Sequence, residues 1–322
     1  MIGSSAILNF LSQILKFTLN YKSPALMNPI RISLLIAFIF PLLFNGCKDD
    51  SSNTPAPKEP RLVFKFVFDS TQVRLDNLGN PSALPSNHGA QSPRFNKMSA
   101  HYIELTPNQF TQIGQGAVLY HNAETTAGGA TAIDFSKSNP VGNNETFYSM
   151  PLKGVAPGTY DWLRVSLAYQ NYEIDFRYSL NGTNYDLNAT LASFIGYNTY
   201  LSSFKIKDST VVVNANKPQG FWAFETIYNV SSGQSAAGAT TVPNPIFATS
   251  PIPQGSCLVT GSFSQPLVIT GNESSDIVVT VSLSTNKSFE WIENSTPGYF
   301  EPAAGDAVVD MGIRGMVVTT NQ

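Results

Sequence analysis

The chain contains three histidines, His88, His101 and His121, and all of them fall between residues 88 and 121. Neutral imidazole is a good ligand for copper and zinc, and it also carries protons near neutral pH. His101 alternates with Ile103 and Leu105, and His121 shares its strand parity with Leu119. Strict alternation therefore predicts that both rings lean toward the apolar side. A hairpin centred on Thr111 would set His101 opposite His121, with Cβ atoms about 4.5–5.5 Å apart. His88 is expected to join them from the preceding loop, giving a metal site of His88, His101 and His121. No HxH or HxxxH spacing fixes that geometry. The alternative role for an inward histidine is a core residue with hydrogen-bonded ring nitrogens.

Carboxylates offer a second chemistry. Glu173 and Asp175 sit at i and i+2 beside Arg177. Two such acids can serve a glycosidase, but the preferred reading is a solvated charged face with Arg177 as the partner. Residues 76–80, DNLGN, bring oxygen ligands near a glycine but lack the terminal Glu of a calcium loop. Asp134, Glu225, Glu290 and Asp310 lie in no recognisable motif. Trp162, Trp222 and Trp291, with thirteen tyrosines, could stack on glycans or fill a core; the run 221–224, FWAF, alternates as a core strand does. The chain has no G-x-S-x-G elbow, no HExxH and no P-loop. It reads as a non-enzymatic binding protein.

The elements that must position these residues are short strands. In residues 62–68, LVFKFVF, three phenylalanines share one face. Strands are expected over 99–105, 117–121, 146–152 and 160–167, with the last resuming through Ile174, Phe176 and Tyr178. Apolar parity switches between Leu167 and Ile174, which predicts a bulge or bend near Gln170 and Asn171. Asn181-Gly182 predicts a hairpin. Later strands are expected over 203–206, 210–213, 220–226, 257–262, 267–270, 277–283 and 307–318. Residues 187–195 can be read as one short helix. Residues 76–97 read as an irregular loop. Together these predict an all-β fold, a β-sandwich of short antiparallel strands with long loops.

Residues 27–50 supply an address. Arg31 precedes an apolar run over 32–44, followed by Asn45, Gly46 and Cys47. A charged start, a short apolar core and a small residue before a processing point make a secretory signal. The run is too short to span a bilayer, which takes about 20 residues. Met27 is a better start than Met1. The expected organisation is a signal region over 1–46 and a tether over 47–60. A sandwich follows over 61–230 and a flexible loop over 231–256. Residues 257–322 either complete the sandwich or form a small second domain. Lys16, Lys22 and Arg31 precede Cys47 and no acidic residue does, so 16 basic and 22 acidic residues remain and the mature charge is −6. An acidic chain without a basic run is not built for nucleic acid.

The segment ending in Cys47 resembles a bacterial lipobox, with Phe44 where the family carries leucine. The following Lys48-Asp49-Asp50 is similar to the tag on surface lipoproteins of Bacteroidota. That resemblance implies lipidation at Cys47 and an anchored place on the outer membrane or cell surface. It also leaves Cys257 without a disulfide partner, as an ordinary buried strand residue. The order HYIEL, LYH, AIDF and VAPGTYDWLRV over about residues 60–180 resembles the β-sandwich copper proteins of the methanobactin-associated MbnP group. The match lies in the order of elements, and Ala156-Pro157-Gly158-Thr159-Tyr160 is its most specific piece. The resemblance implies copper held through His101 and His121, and it supplies no third ligand.

Overall fold

The computed structural model describes residues 58–76, 79–235 and 257–322. The signal region, Cys47 and most of the 231–256 segment lie outside the described residues. The protein is all-β, with three-residue 3-10 turns as its only helical elements among the described residues. Among the described residues no helix is long and apolar enough to cross a membrane.

Eleven strands form the principal sheet. In chain order they are β1 (Arg61–Asp69), β3 (Arg94–Thr106), β4 (Ala117–His121), β7 (Thr146–Pro151), β8 (Gly158–Leu180) and β9 (Thr183–Phe194). They continue with β12 (Phe221–Glu225), β13 (Val230–Gln234), β14 (Cys257–Ile269), β15 (Ile277–Ser284) and β18 (Met316–Thr320). The sheet runs β13-β12-β9-β8-β14-β18-β15-β1-β7, with β3 on the free edge of β8 and β4 beyond it. The sheet turns back on itself, so that β7-β1-β15-β18 lies over β4-β3-β8-β14. Between the layers sit Phe64 and Phe66 of β1, Ile103 and Leu105 of β3, Leu163 and Val165 of β8, and Val279 and Val281 of β15. The C-terminal strands thus belong to this sheet: β14 pairs with β8 from Cys257 opposite Leu167 onward, and β15 runs parallel to β1.

β8 is a single strand of 23 residues that serves two neighbourhoods. Residues 158–167 pair with β14, and residues 169–180 pair with β9. Ala168 is the skipped residue between them: Tyr169 lies opposite Ser99 and Leu167 opposite Ala100. This is the bulge expected from the parity switch, placed two residues earlier. Beyond it each face of the sheet carries a further layer over part of its length. One face holds β11 (Thr210–Pro218), β10 (Asn198–Lys205), β6 (Ala132–Asp134) and β5 (Glu124–Thr125). Tyr169, Phe194, Leu201 and Phe204 pack between. The other face holds β17 (Ala307–Met311), β16 (Phe289–Ile292) and β2 (His88–Gln91). Tyr172, Leu191, Phe289 and Trp291 fill that layer.

Two expectations fail here. Residues 187–195 are not a helix but most of β9, paired residue for residue with β8. Ala189 and Leu191 face one layer while Ala192 and Phe194 face the other. A strand buried on both faces loses its alternation, and its apolar run then imitates a helix. Residues 76–97 are not wholly irregular, since β2 and the start of β3 fall within them. The Asn181-Gly182 hairpin forms as expected. Both residues have positive φ, 51° and 81°, the conformation a two-residue hairpin turn requires. The PGTY turn is tied by Tyr160, whose hydroxyl donates to the Ala156 carbonyl at 2.8 Å.

Candidate functional site

Three bulges build the site. β8 skips Ala168, as described. β3 skips His101, because Ala100 lies opposite Leu167 and Tyr102 opposite Ser166. β4 skips Leu119, because Ile103 lies opposite Tyr120 and Glu104 opposite Val118. A bulge re-aims the side chains around it. On β3 the core-facing residues pass from Met98 and Ala100 to Ile103 and Leu105, so two residues intervene and His101 is turned off the sandwich core. The expectation that both histidines lean toward the apolar side is therefore corrected. His121 is likewise displaced by the bulge at Leu119 and stands 51% exposed at the side chain. His101 remains 1% exposed because the β5-β6 corner and Tyr197 cover it.

The two rings meet nevertheless. The register puts Tyr102, not His101, opposite His121, yet His101 Nε2 and His121 Nε2 are 3.0 Å apart. Glu124, three residues after His121, opens β5 and turns its carboxylate to the pair. Its Oε1 lies 3.1 Å from His101 Nε2 and 3.6 Å from His121 Nε2. Tyr197 donates its hydroxyl to the same oxygen at 2.7 Å. The corner carrying Tyr197 is held by the Ala168 bulge, whose carbonyl accepts from the backbone N–H groups of Ile195 and Gly196 at 2.9 and 3.0 Å. Backbone bonds from Asn122 to His101 and from Asp134 to Ala123 fix the turn between His121 and Glu124.

Three potential ligand atoms thus converge in a triangle with edges of 3.0, 3.1 and 3.6 Å. Its centre is about 1.9 Å from each atom, close to the roughly 2.0–2.2 Å that zinc keeps from histidine nitrogen and carboxylate oxygen. Burial, and then the neighbouring His121, lower the His101 pKa to about 4. At neutral pH its imidazole is therefore the neutral, ligating form. Burial, and then Glu124, raise the pKa of Tyr197, so it stays a hydrogen-bond donor.

His88 does not join this group. It belongs to β2 and lies opposite Ile292 of β16. Its Nδ1 bonds to Glu290 Oε1, while Arg74 bonds to the other oxygen of Glu290. Arg314 reaches Glu290 at 3.6 Å and also pairs with Asp310. The expected three-histidine site is thus corrected to His101, His121 and Glu124. His88 follows β2 into the layer on the β16 side of the sheet. Glu124 was missed by the sequence reading, although the spacing His121-x-x-Glu124 carried a signal.

The charged candidates and Cys257 sit as follows. Glu173 and Asp175 both pair with Arg94, and Lys207 also reaches Glu173. Arg177 is not their partner. It is directly opposite Asp186 in the β8-β9 register, pairs with it at 2.7 Å, and lies over the Tyr299 ring. Arg164 is buried, 3.7 Å from Glu104. Asp76 accepts from the Asn80 backbone within a tight turn. Cys257 is buried and unpaired in β14, and burial raises its pKa above that of an ordinary thiol. No family model, curated protein or solved structure matches this chain.

Proposed function

We propose that this protein is a lipid-anchored, extracytoplasmic β-sandwich that binds a copper or zinc ion through His101, His121 and Glu124. One observation carries the reading, the convergence of those three donor atoms at ligand spacing. Two imidazoles and a carboxylate are a borderline donor set suited to these metals. Tyr197 would orient the carboxylate through its hydroxyl hydrogen bond. With His121 half-exposed, an ion bound there would lie near the surface, open to exchange. The anchor rests on the sequence around Cys47, since the sandwich begins only a short proline-rich spacer later.

Elemental analysis of the protein purified from its native membrane, followed by competitive titration with copper and zinc, tests the metal. Stoichiometric binding is expected. It falls at least about 100-fold in the His101→Ala, His121→Ala double variant and about 10- to 100-fold in Glu124→Gln. Binding that is equal in wild type and double variant overturns the site. For the anchor, Cys47→Ser is expected to move the protein from the membrane to the soluble fraction. A membrane-bound Cys47→Ser protein overturns lipidation.

A further inference from the structure

Apart from the histidine site, the layer carrying β16 and β17 leaves part of the principal sheet uncovered among the described residues. Two concavities form there, of about 420 and 540 Å³. They share Phe224 and Ser231 and so make one furrow along β8, β9, β12 and β13. We propose that this furrow binds an uncharged oligosaccharide.

The lining decides the ligand class. Tyr178 and Tyr185 are directly paired across the β8-β9 hairpin and are 42% and 47% exposed. Tyr228, at the β12-β13 turn, is 78% exposed. Trp222 lies flat against β13 because its register partner is Gly233, where a Cβ would come within 2.6 Å of the indole ring. A side chain at 233 would push the ring out of that position. Flat aromatic faces match the apolar C–H faces of pyranose rings. The polar groups of the lining are hydroxyls and an amide, from Thr226, Asn229, Ser231 and Ser235.

The one charged lining residue among those described is Asp306. Its carboxylate is already engaged by the Asn294 and Glu301 backbone N–H groups and the Ser295 hydroxyl. With one carboxylate already hydrogen-bonded and no cation in its lining, the furrow selects against acidic sugars and acidic peptides. A plain acyl chain would strip water from the tyrosine hydroxyls and from Asn229 without replacing it. A hydroxyl-rich, uncharged chain satisfies both the stacking faces and the polar groups. The size fits a few sugar units.

Binding of an array of neutral and acidic oligosaccharides to the purified protein, followed by calorimetry on the best binder, tests the assignment. A neutral oligosaccharide is expected to bind and to change the tryptophan fluorescence. Tyr178→Ala and Tyr185→Ala, both at exposed positions, should each weaken it by about tenfold. Trp222→Phe should remove the fluorescence response while the thermal midpoint shows the fold intact. His101→Ala should leave sugar affinity unchanged, which separates this site from the metal site. The assignment is overturned if no neutral sugar binds, if acidic sugars, a fatty acid or a peptide bind in preference, or if both tyrosine variants bind as wild type.

Discussion

Two histidines in this protein have a carboxylate at hydrogen-bond reach, and their surroundings differ. His88 meets Glu290, which is buried and also shared by Arg74 and Arg314, with Asp310 paired to Arg314. Each carboxylate there has a cation, so the charges balance and the cluster is a structural tie between β2, β16 and β17. Among the described residues the ion-pair partners of Glu124 are His101 and His121, with no Arg or Lys. Potential ligand atoms converge there with no fixed cation among the described residues to balance the carboxylate. Ligand chemistry is thus read from how a histidine's partners are themselves satisfied, not from the presence of a carboxylate.

The largest effect that would sharpen this contrast is expected from Glu290→Ala. It leaves buried Arg74 without its carboxylate and should cost about 3–5 kcal/mol in urea unfolding. A loss under about 1 kcal/mol would mean that the cluster does not tie the layers together.

The next effect is a pH dependence of the metal-free protein. His101 is held near pKa 4 when folded, against 6.5 for the free side chain. Above pH 6.5 both states are neutral and its contribution is fully present. As pH falls from 6.5 toward 4 the unfolded chain takes up the proton first, so stability is lost, by up to about 3 kcal/mol. Denaturant midpoints measured across that window should fall in wild type and flatten in His101→Phe. Equal slopes in the two proteins would break the comparison at the His101 end.

Smaller effects separate the two clusters further. His88→Ala removes one hydrogen bond to Glu290 and should cost about 1.5 kcal/mol, while leaving metal affinity as in wild type. A drop in metal affinity in that variant would return His88 to the site. Tyr197→Phe should do the reverse. It should cost about 1 kcal/mol or less in stability but lower metal affinity about tenfold by freeing the Glu124 carboxylate. Isothermal titration of the two variants in parallel reads both outcomes.

Much of the fold was legible because strands declare themselves with a period of two. The phenylalanines of β1, the Asn181-Gly182 turn and the parity switch along β8 were all visible as pattern. β9 was not, since layers on both faces erase that period. The candidate site was legible in part. Two of its three donors could be named from their clustering, but both were assigned to the wrong side of their strands.

By itself the sequence determined an all-β chain and the rarity and clustering of histidine. Only the tertiary structure decided which histidines meet. The reason is physical. One skipped residue at Ala168, at His101 and at Leu119 reverses facing along each strand, and a bulge is set by the partner strand rather than by local propensity. Glu124 enters for the same reason. Its place beside two imidazoles comes from the β5-β6 pairing and the corner at Tyr197, both of which depend on residues far away in the chain.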